Sequence, residues 1–429
     1  MSLIEFTKNQ FVALMCLMCS ACFSSYLSAA PTQVSLWRHV AGDAEMNASL
    51  SVIERFNESQ DRWEVVPDFI PERAYTQSIN AAAGADLLPC IIEIDQPLVP
   101  YFAWKGALHP LETLIDRNLL DSINESGKGL YRSNVYSVGQ FDVSLVIFTR
   151  KSLLKRLSLR TPTVDHPWDR QEFEKALYAI KNTGEFEYSV DLRADERTEW
   201  VSYAWAPLMF SWGADLINRD NYLDAEGVLN SQEAVGFGSW LQSLQQQGFV
   251  PESLDDGAFI EGTVGMLYSG SWMLQEYEKT FGDDLAVLPV PDLGNGVTIG
   301  GGSWHWAITN TCQHPEGAKE FLSFLLAPEE LATVSGTASL FPTSERAAEL
   351  TTDYSAQGKW REVFEMSAMY SKLRPATPAY SAISSNYRKA MTSIIKGMDP
   401  KTALDLAVEN IEAAMARNRN YGFSVSTPQ

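Results

Sequence analysis

The chain has 429 residues, 45% hydrophobic and 20% charged, a soluble globular mixture too long for one small core and sufficient for roughly two to three domains. Its formal net charge is −21, from 54 Asp plus Glu against 33 Lys plus Arg, so a nucleic acid would meet repulsion from the whole field. The composition argues against nucleic acid as a partner and favours neutral or cationic small molecules.

Residues 1–30 differ from the rest. Lys8 precedes an apolar run from Phe11 to Phe23, and the small residues Ser28, Ala29 and Ala30 follow. This is the layout of a secretory signal peptide cleaved near Ala29 or Ala30, too short for a comfortable bilayer span, and it directs the mature chain to the periplasm. A lipid anchor at Cys22, preceded by Ser20 and Ala21, is the alternative. Of the five cysteines, Cys16, Cys19 and Cys22 lie in this leader, and Cys90 and Cys312 remain. One bridge between them is open to the chain. The apolar strand around Cys90 and the helix start after Cys312 point rather to two separate buried thiols.

After the leader, Gln33 to Val40 alternates like a strand, with Asp43 placed to cap a helix carrying Met46, Leu50, Ile53 and Phe56. Trp63 to Phe69 reads as strand, Tyr75 to Ala83 as helix, and Asp86 to Asp95 as an apolar strand ending in a carboxylate. Strand and helix in alternation argue for an α/β lobe with a largely parallel sheet. Val143 to Phe148 is a further strand, then Glu172 to Ile180 a helix, and Glu199 to Gly213 is rich in Trp and Tyr. Ser231 caps a helix with Val235, Phe237, Trp240, Leu241 and Leu244 on one side, closed by Gly248.

The stretch from Gly262 to Thr309 is the most informative. Gly270 stands beside Trp272, and Gly300, Gly301 and Gly302 precede Trp304. Glycine lets backbone approach a flat partner, while an indole offers a broad apolar face and one N–H donor, which is equipment for gripping a sugar ring. Trp304, Trp306 and Ile308 then alternate as a strand does, and Pro315 opens an amphipathic helix with Ala318, Phe321, Leu322 and Leu325 on its inner face. Two later helices follow, near Tyr387 to Ile395 and Thr402 to Met415.

The succession Gly262-x-x-x-Met266-x-x-x-Gly270-x-Trp272, Leu288-Pro-Val-Pro291, the glycine turn at 300–302 and Pro315-Glu-x-Ala-x-x-Phe-Leu322 resembles the extracellular solute-binding protein family that delivers sugars to ABC importers. The resemblance implies an α/β, two-lobed periplasmic-binding-protein fold (type II) with a hinge of several crossing segments. Its first lobe is expected from 31–143 plus 305–345 and its second from 144–304 plus 346–429. It implies a monomer without cofactor or metal, whose partners are a sugar and membrane permease subunits.

Carried over residue by residue, the resemblance implies first-lobe ligand contacts at Trp37, His39, Asp43 or Glu45, and Asp95. From the second lobe it implies Trp205, Trp272, Gly301, Gly302, Trp304, Arg374 and Tyr380, with Gln140 at the crossing between lobes. Trp272 stands out as the main platform and Asp95 as the main carboxylate.

The residues of an enzyme are sparse. Among five histidines none are paired at the spacing that puts two imidazoles on one helix face. The sequence has no Gly-x-Ser-x-Gly elbow, no phosphate-binding glycine loop and no Cys-x-x-Cys outside the leader. Only a glycosidase, which needs little more than two carboxylates about 5 to 10 Å apart, stays open on these grounds. A secreted carbohydrate-active hydrolase or lyase is therefore the rival reading, and a sensor or adhesin using the same cleft is a third.

Overall fold

The computed structural model describes residues 30–194, 199–255, 257–338 and 340–423. The leader expectation, with Cys16, Cys19 and Cys22, falls outside them. In strand β1 (Thr32–Val40) Val34 and Leu36 are buried while Gln33 and Ser35 are exposed, the period of two that the sequence carries. Helix α1 (Asp43–Ser59) buries Ala48, Val52, Ile53 and Phe56. Asp43 is its first residue rather than its cap; Gly42 holds the cap position, with no side-chain hydrogen bond. Strand β2 (Trp63–Pro71) and helix α2 (Glu72–Gly84) follow, then β3 (Ile91–Asp95). The strand expected from residue 86 starts five residues later because Asp86, at φ 55°, turns the chain out of α2 first.

Strands β4 (Lys128–Tyr131), β5 (Asn134–Gly139), β6 (Phe141–Asp142) and β7 (Leu145–Arg150) come next. Helix α3 (Arg170–Lys181) is opened by a reciprocal cap: Asp169 accepts from the Glu172 backbone at 2.8 Å, and Glu172 accepts from the Asp169 backbone at 3.3 Å. Strand β8 (Tyr188–Asp191) leads to a π-helical turn at Val201–Trp205, and Ser231 caps helix α4 (Gln232–Gln246) by accepting from Ala234 N at 3.2 Å. Such a cap contributes about 1 kcal/mol.

The remaining strands are β9 (Val264–Gly270), β10 (Leu285–Leu288), β11 (Ile299–Gly301), β12 (Trp304–Ile308), β13 (Phe341–Pro342) and β14 (Ser371–Leu373). Between and after them lie helices α5 (Pro315–Leu325), α6 (Pro328–Ala338), α7 (Tyr380–Ile395) and α8 (Pro400–Arg417). Helix α5 buries Ala318, Phe321, Leu322 and Leu325, as its spacing predicts, and each of the larger three contributes about 1.5–3 kcal/mol.

Two sheets organise these elements. The first runs β2-β1-β3-β12-β5-β4, with β1 parallel to β2 and β3, and with β12 antiparallel to both β3 and β5. The second runs β10-β7-β9-β8. Each has its own core: Val34, Leu36, Ile91, Trp306 and Phe321 lie in the first, and Ile147, Val190, Met266, Phe237 and Leu404 in the second. The chain leaves the first sheet after β5, returns to it at β12, and passes back to the second core beyond β13. Strands β6 and β13 pair antiparallel at this junction, Phe341 with Asp142 and Pro342 with Phe141.

The insertion of β12 corrects one expectation and explains it. Cys90, next to β3, and Cys312, beyond β12, form a disulfide across 222 residues of sequence. Ile91 pairs with Ile308, and Thr309 N donates to Cys90 O at 3.0 Å, so the antiparallel register itself brings the two thiols together.

Candidate functional site

A cavity of about 1230 Å³ lies at the junction of the two cores. Asp95, at the end of β3, Leu98, in the turn just after it, and Trp304, at the start of β12, line it from one side, and Glu199, Tyr380 and Ser384 from the second lobe. It exceeds the roughly 300–1,000 Å³ of pockets for drug-sized ligands.

Its floor is a charged knot. Arg374, buried in the loop after β14, donates from Nη1 to Asp95 Oδ2 at 2.8 Å and from Nη2 to Asp95 Oδ1 at 2.7 Å. This two-toothed geometry is available to guanidinium and not to ammonium. Glu199 Oε1 stands 3.6 Å from Nη1, and the guanidinium lies 5.1 Å above the Tyr203 ring. Burial opposes the charge on Arg374, yet Asp95, Tyr380 and Glu199 outweigh it and hold the group above its ordinary pKa. Glu199 accepts from the Tyr380 hydroxyl, and from Ser384 Oγ at 2.8 Å. Burial pushes its carboxyl up and the Asp95 charge adds to this, while Arg374 and the two hydroxyls pull it partly back. Three elements, β3, α7 and the turn before residue 201, thus meet on one cation.

Behind the first-lobe wall sits a second polar cluster. Arg38 is fully buried in β1, donating to Glu45 at 2.6 Å and to Ser49, with Glu93 Oε2 at 3.3 Å from its Nε. His39 Nδ1 lies 2.7 Å from Glu93 Oε2, which also accepts from His39 N at 3.2 Å. Burial raises the cost of the Glu93 charge, but Arg38 and His39 lower its pKa overall. The Tyr75 hydroxyl lies 2.5 Å from Glu93 O and 2.9 Å from Trp37 O, its one proton shared between the two carbonyls.

Of the residues expected to touch ligand, the structure brings Asp95, Trp304 and Tyr380 onto the cavity wall, with Arg374 directly beneath Asp95. Trp304 comes from the first sheet and not the second lobe, because it opens β12 opposite Asp95. Trp37 is half-buried against the core of α2, His39 lies behind Trp304, and Glu45 is held by Arg38. Asp43 is exposed on the first turn of α1.

Trp272 is 36% exposed and outside this cavity, its ring edge-on to Trp200 at 6.3 Å and tilted to Tyr203 at 6.5 Å. A Cβ on Gly270 would stand 1.9 Å from that indole, so the glycine beside the tryptophan is required by contact. Through Tyr203 the ring adjoins Arg374. Gly302 takes φ 77° between β11 and β12, and Gly301 pairs with Leu373 in the β11–β14 ladder. Gln140 is buried at the junction, where Oε1 accepts from Trp306 Nε1 at 3.1 Å. Trp205 belongs to the second core, its indole donating to Leu192 O at 2.9 Å, and presents no face to the cavity.

Sequence reasoning passed over Glu199 and Ser384. A lone carboxylate at the head of the aromatic stretch 199–213 was the available signal for the first; a serine on the inner face of α7 carried none. Among the described residues no group of three His, Cys, Asp or Glu is placed to hold a metal ion, and no helix is long and apolar enough to cross a membrane.

A profile described as bacterial extracellular solute-binding protein matches residues 51–361. The uncharacterized lipoprotein in the oleD 5' region of Streptomyces antibioticus is 24% identical over 338 residues, covering 75% of this chain and 70% of that one. Among solved structures, the ABC substrate-binding protein Lmo0181 of Listeria monocytogenes in complex with cycloalternan superposes with a TM-score of 0.76 at 18% identity, over 92% of this chain and all of that one. The maltose/maltodextrin-binding domain MalE of Bdellovibrio bacteriovorus bound to maltotriose gives 0.75 at 17% identity, over 90% of this chain and all of that one. At these identities the likeness establishes a shared fold, the α/β two-lobed form of the periplasmic binding proteins.

Proposed function

The chain belongs to the bacterial extracellular solute-binding protein family, and from that membership we propose that it captures an oligosaccharide between its lobes and delivers it to the permease of an ABC importer. The observation that carries this reading is the cavity walled by Trp304 on one lobe and by Tyr380 and Glu199 on the other. An indole platform and convergent hydroxyl and carboxylate groups fit the alternating apolar and polar faces of a pyranose. Two of its structural relatives are bound to cycloalternan and to maltotriose, and a third to tagatose.

The mechanism is a shift between open and closed forms. A sugar touching both lobes binds the closed form better, and that difference in affinity supplies the free energy of closure. We assign 31–143 plus 304–345 to one lobe and 144–303 plus 346–429 to the other, one residue from the expected boundary because Trp304 opens β12 of the first sheet. The contact set is Asp95, Trp304, Tyr380 and Glu199, with Arg374 holding Asp95 from beneath. The protein works as an exported monomer, freed into the periplasm or anchored through Cys22, and breaks no bonds. Both Asp95 oxygens are taken by Arg374, which leaves the Asp95–Glu199 pair ill-suited to the nucleophile and acid of a glycosidase.

Calorimetry and thermal shift with maltotriose, cycloalternan and a wider panel of sugars test the proposal, with product analysis after long incubation. Saturable one-to-one binding without product supports it. Hydrolysis, or the absence of binding by any sugar, overturns it.

A further inference from the structure

We propose that His39, which is not among the residues lining the cleft cavity, positions the Trp304 platform, and that its charge holds the indole flat against the cleft wall. The inference rests on the sugar-binding reading only for its consequence on affinity. The geometry is independent of any ligand. His39 and Trp304 stack with centroids 4.0 Å apart and ring planes at 19°, and the cavity lies along Trp304. Tyr75 meets the same indole at 5.7 Å and 77°, and meets His39 at 6.2 Å. One face of the indole is thereby covered by an imidazole, which leaves the other for a sugar.

The imidazole in turn is fixed by Glu93, whose Oε2 takes both the backbone N–H and Nδ1 of His39. The groups facing it are Glu93 from β3, Glu45 from α1, Arg38 beside it in β1 and Tyr75 from α2. Burial disfavours its charge, but Glu93, by charge and hydrogen bond, and Glu45 prevail over burial and Arg38, raising its pKa above 6.5. An imidazolium over an indole adds cation–π attraction to stacking, and this part is lost when the ring becomes neutral. A sugar arriving afterwards has to order a looser platform, which weakens binding.

The test has two arms. Without ligand, the emission due to Trp304 is isolated as wild type minus Trp304→Phe and followed from about pH 5 to about 9, across the range in which histidine titrates. It is expected to titrate with a midpoint above 6.5, and His39→Gln to abolish the titration. With maltotriose as probe, wild-type affinity is expected to weaken about three- to tenfold from the acid to the alkaline side of that midpoint, and His39→Gln to be weak and flat with pH. A pH-independent Trp304 signal in the wild type overturns the proposal without recourse to any histidine variant. So does wild-type affinity and pH profile in His39→Gln. If maltotriose fails to bind the wild type, the fault lies with the sugar assignment, and the ligand-free titration still decides the coupling.

Discussion

Asp95, at the end of β3, and Arg374, in the loop after β14, are clasped by two hydrogen bonds of 2.7 and 2.8 Å across the junction of the lobes. The pair is nearly buried, and Glu199 adds a second carboxylate 3.6 Å from the same guanidinium. Attraction inside such a knot is strong, but each ion has been taken out of water, so the knot stabilises only while all its members are present.

Arg374→Met is therefore expected to destabilise the folded protein by about 3–5 kcal/mol, because Asp95 and Glu199 are left without a cation. Urea unfolding followed by circular dichroism measures this. Asp95→Asn removes the pull between lobes with little change of shape, and small-angle scattering should show a larger radius of gyration in the ligand-free protein. An unchanged radius would mean that apolar contacts around Tyr380 close the lobes without help.

Neighbouring tryptophans should separate binding from folding. Trp304→Ala is expected to remove most affinity for the best sugar of the panel, with a melting point within a few degrees of wild type, and Trp272→Ala, outside the cavity wall, to lower it less. Trp306→Ala, two residues along β12 and inside the first core, should cost about 3–5 kcal/mol of stability. Calorimetry beside thermal melts reads both quantities. Equal loss of stability in the Trp304 and Trp306 variants would place both rings in the core.

His305 is buried between Ser137 Oγ at 3.1 Å and Ser126 O at 3.1 Å, and burial depresses its pKa from 6.5 to about 3. Between these values the unfolded chain holds a proton that the folded chain lacks. Its contribution to stability is therefore complete above pH 6.5 and is lost as the pH falls towards 3, at a slope of about 1.4 kcal/mol per pH unit. Urea midpoints measured through this window should fall with acid, and His305→Gln should flatten the slope by that amount.

Reduction of Cys90–Cys312 is expected to lower stability by about 2–5 kcal/mol, since the bond restrains a long loop of the unfolded chain. Denaturation with and without a reductant measures it. The Cys90→Ala, Cys312→Ala double variant should match the reduced protein; a reductant effect persisting in it would show that the thiols are not the cause.

Local periodicity made much of this architecture readable. Val34 and Leu36 announce a strand, Phe321 and Leu325 a helix, and Ser231 a cap, because each is decided by neighbours within a few residues. The family motif from Gly262 to Trp272 pointed to the two-lobed fold. What stayed hidden depends on distant partners. The alternation of Trp304, Trp306 and Ile308 reveals a strand but not that it enters between β3 and β5, and so neither the disulfide nor the lobe to which Trp304 belongs could be read. Trp205 illustrates the same limit, since an indole serves a core or a ligand equally well, and only its neighbours Leu192 and Trp200 decide.

The place of β12 also bears on how the protein is made. The first sheet cannot be zipped shut as its own residues leave the ribosome, for the strand that joins β3 to β5 is synthesised only when Ile308 appears, after all four strands of the second sheet. Long-range pairing of this kind is slow. A nascent polypeptide therefore has a gap at the centre of its earliest sheet until Trp304–Ile308 has been made.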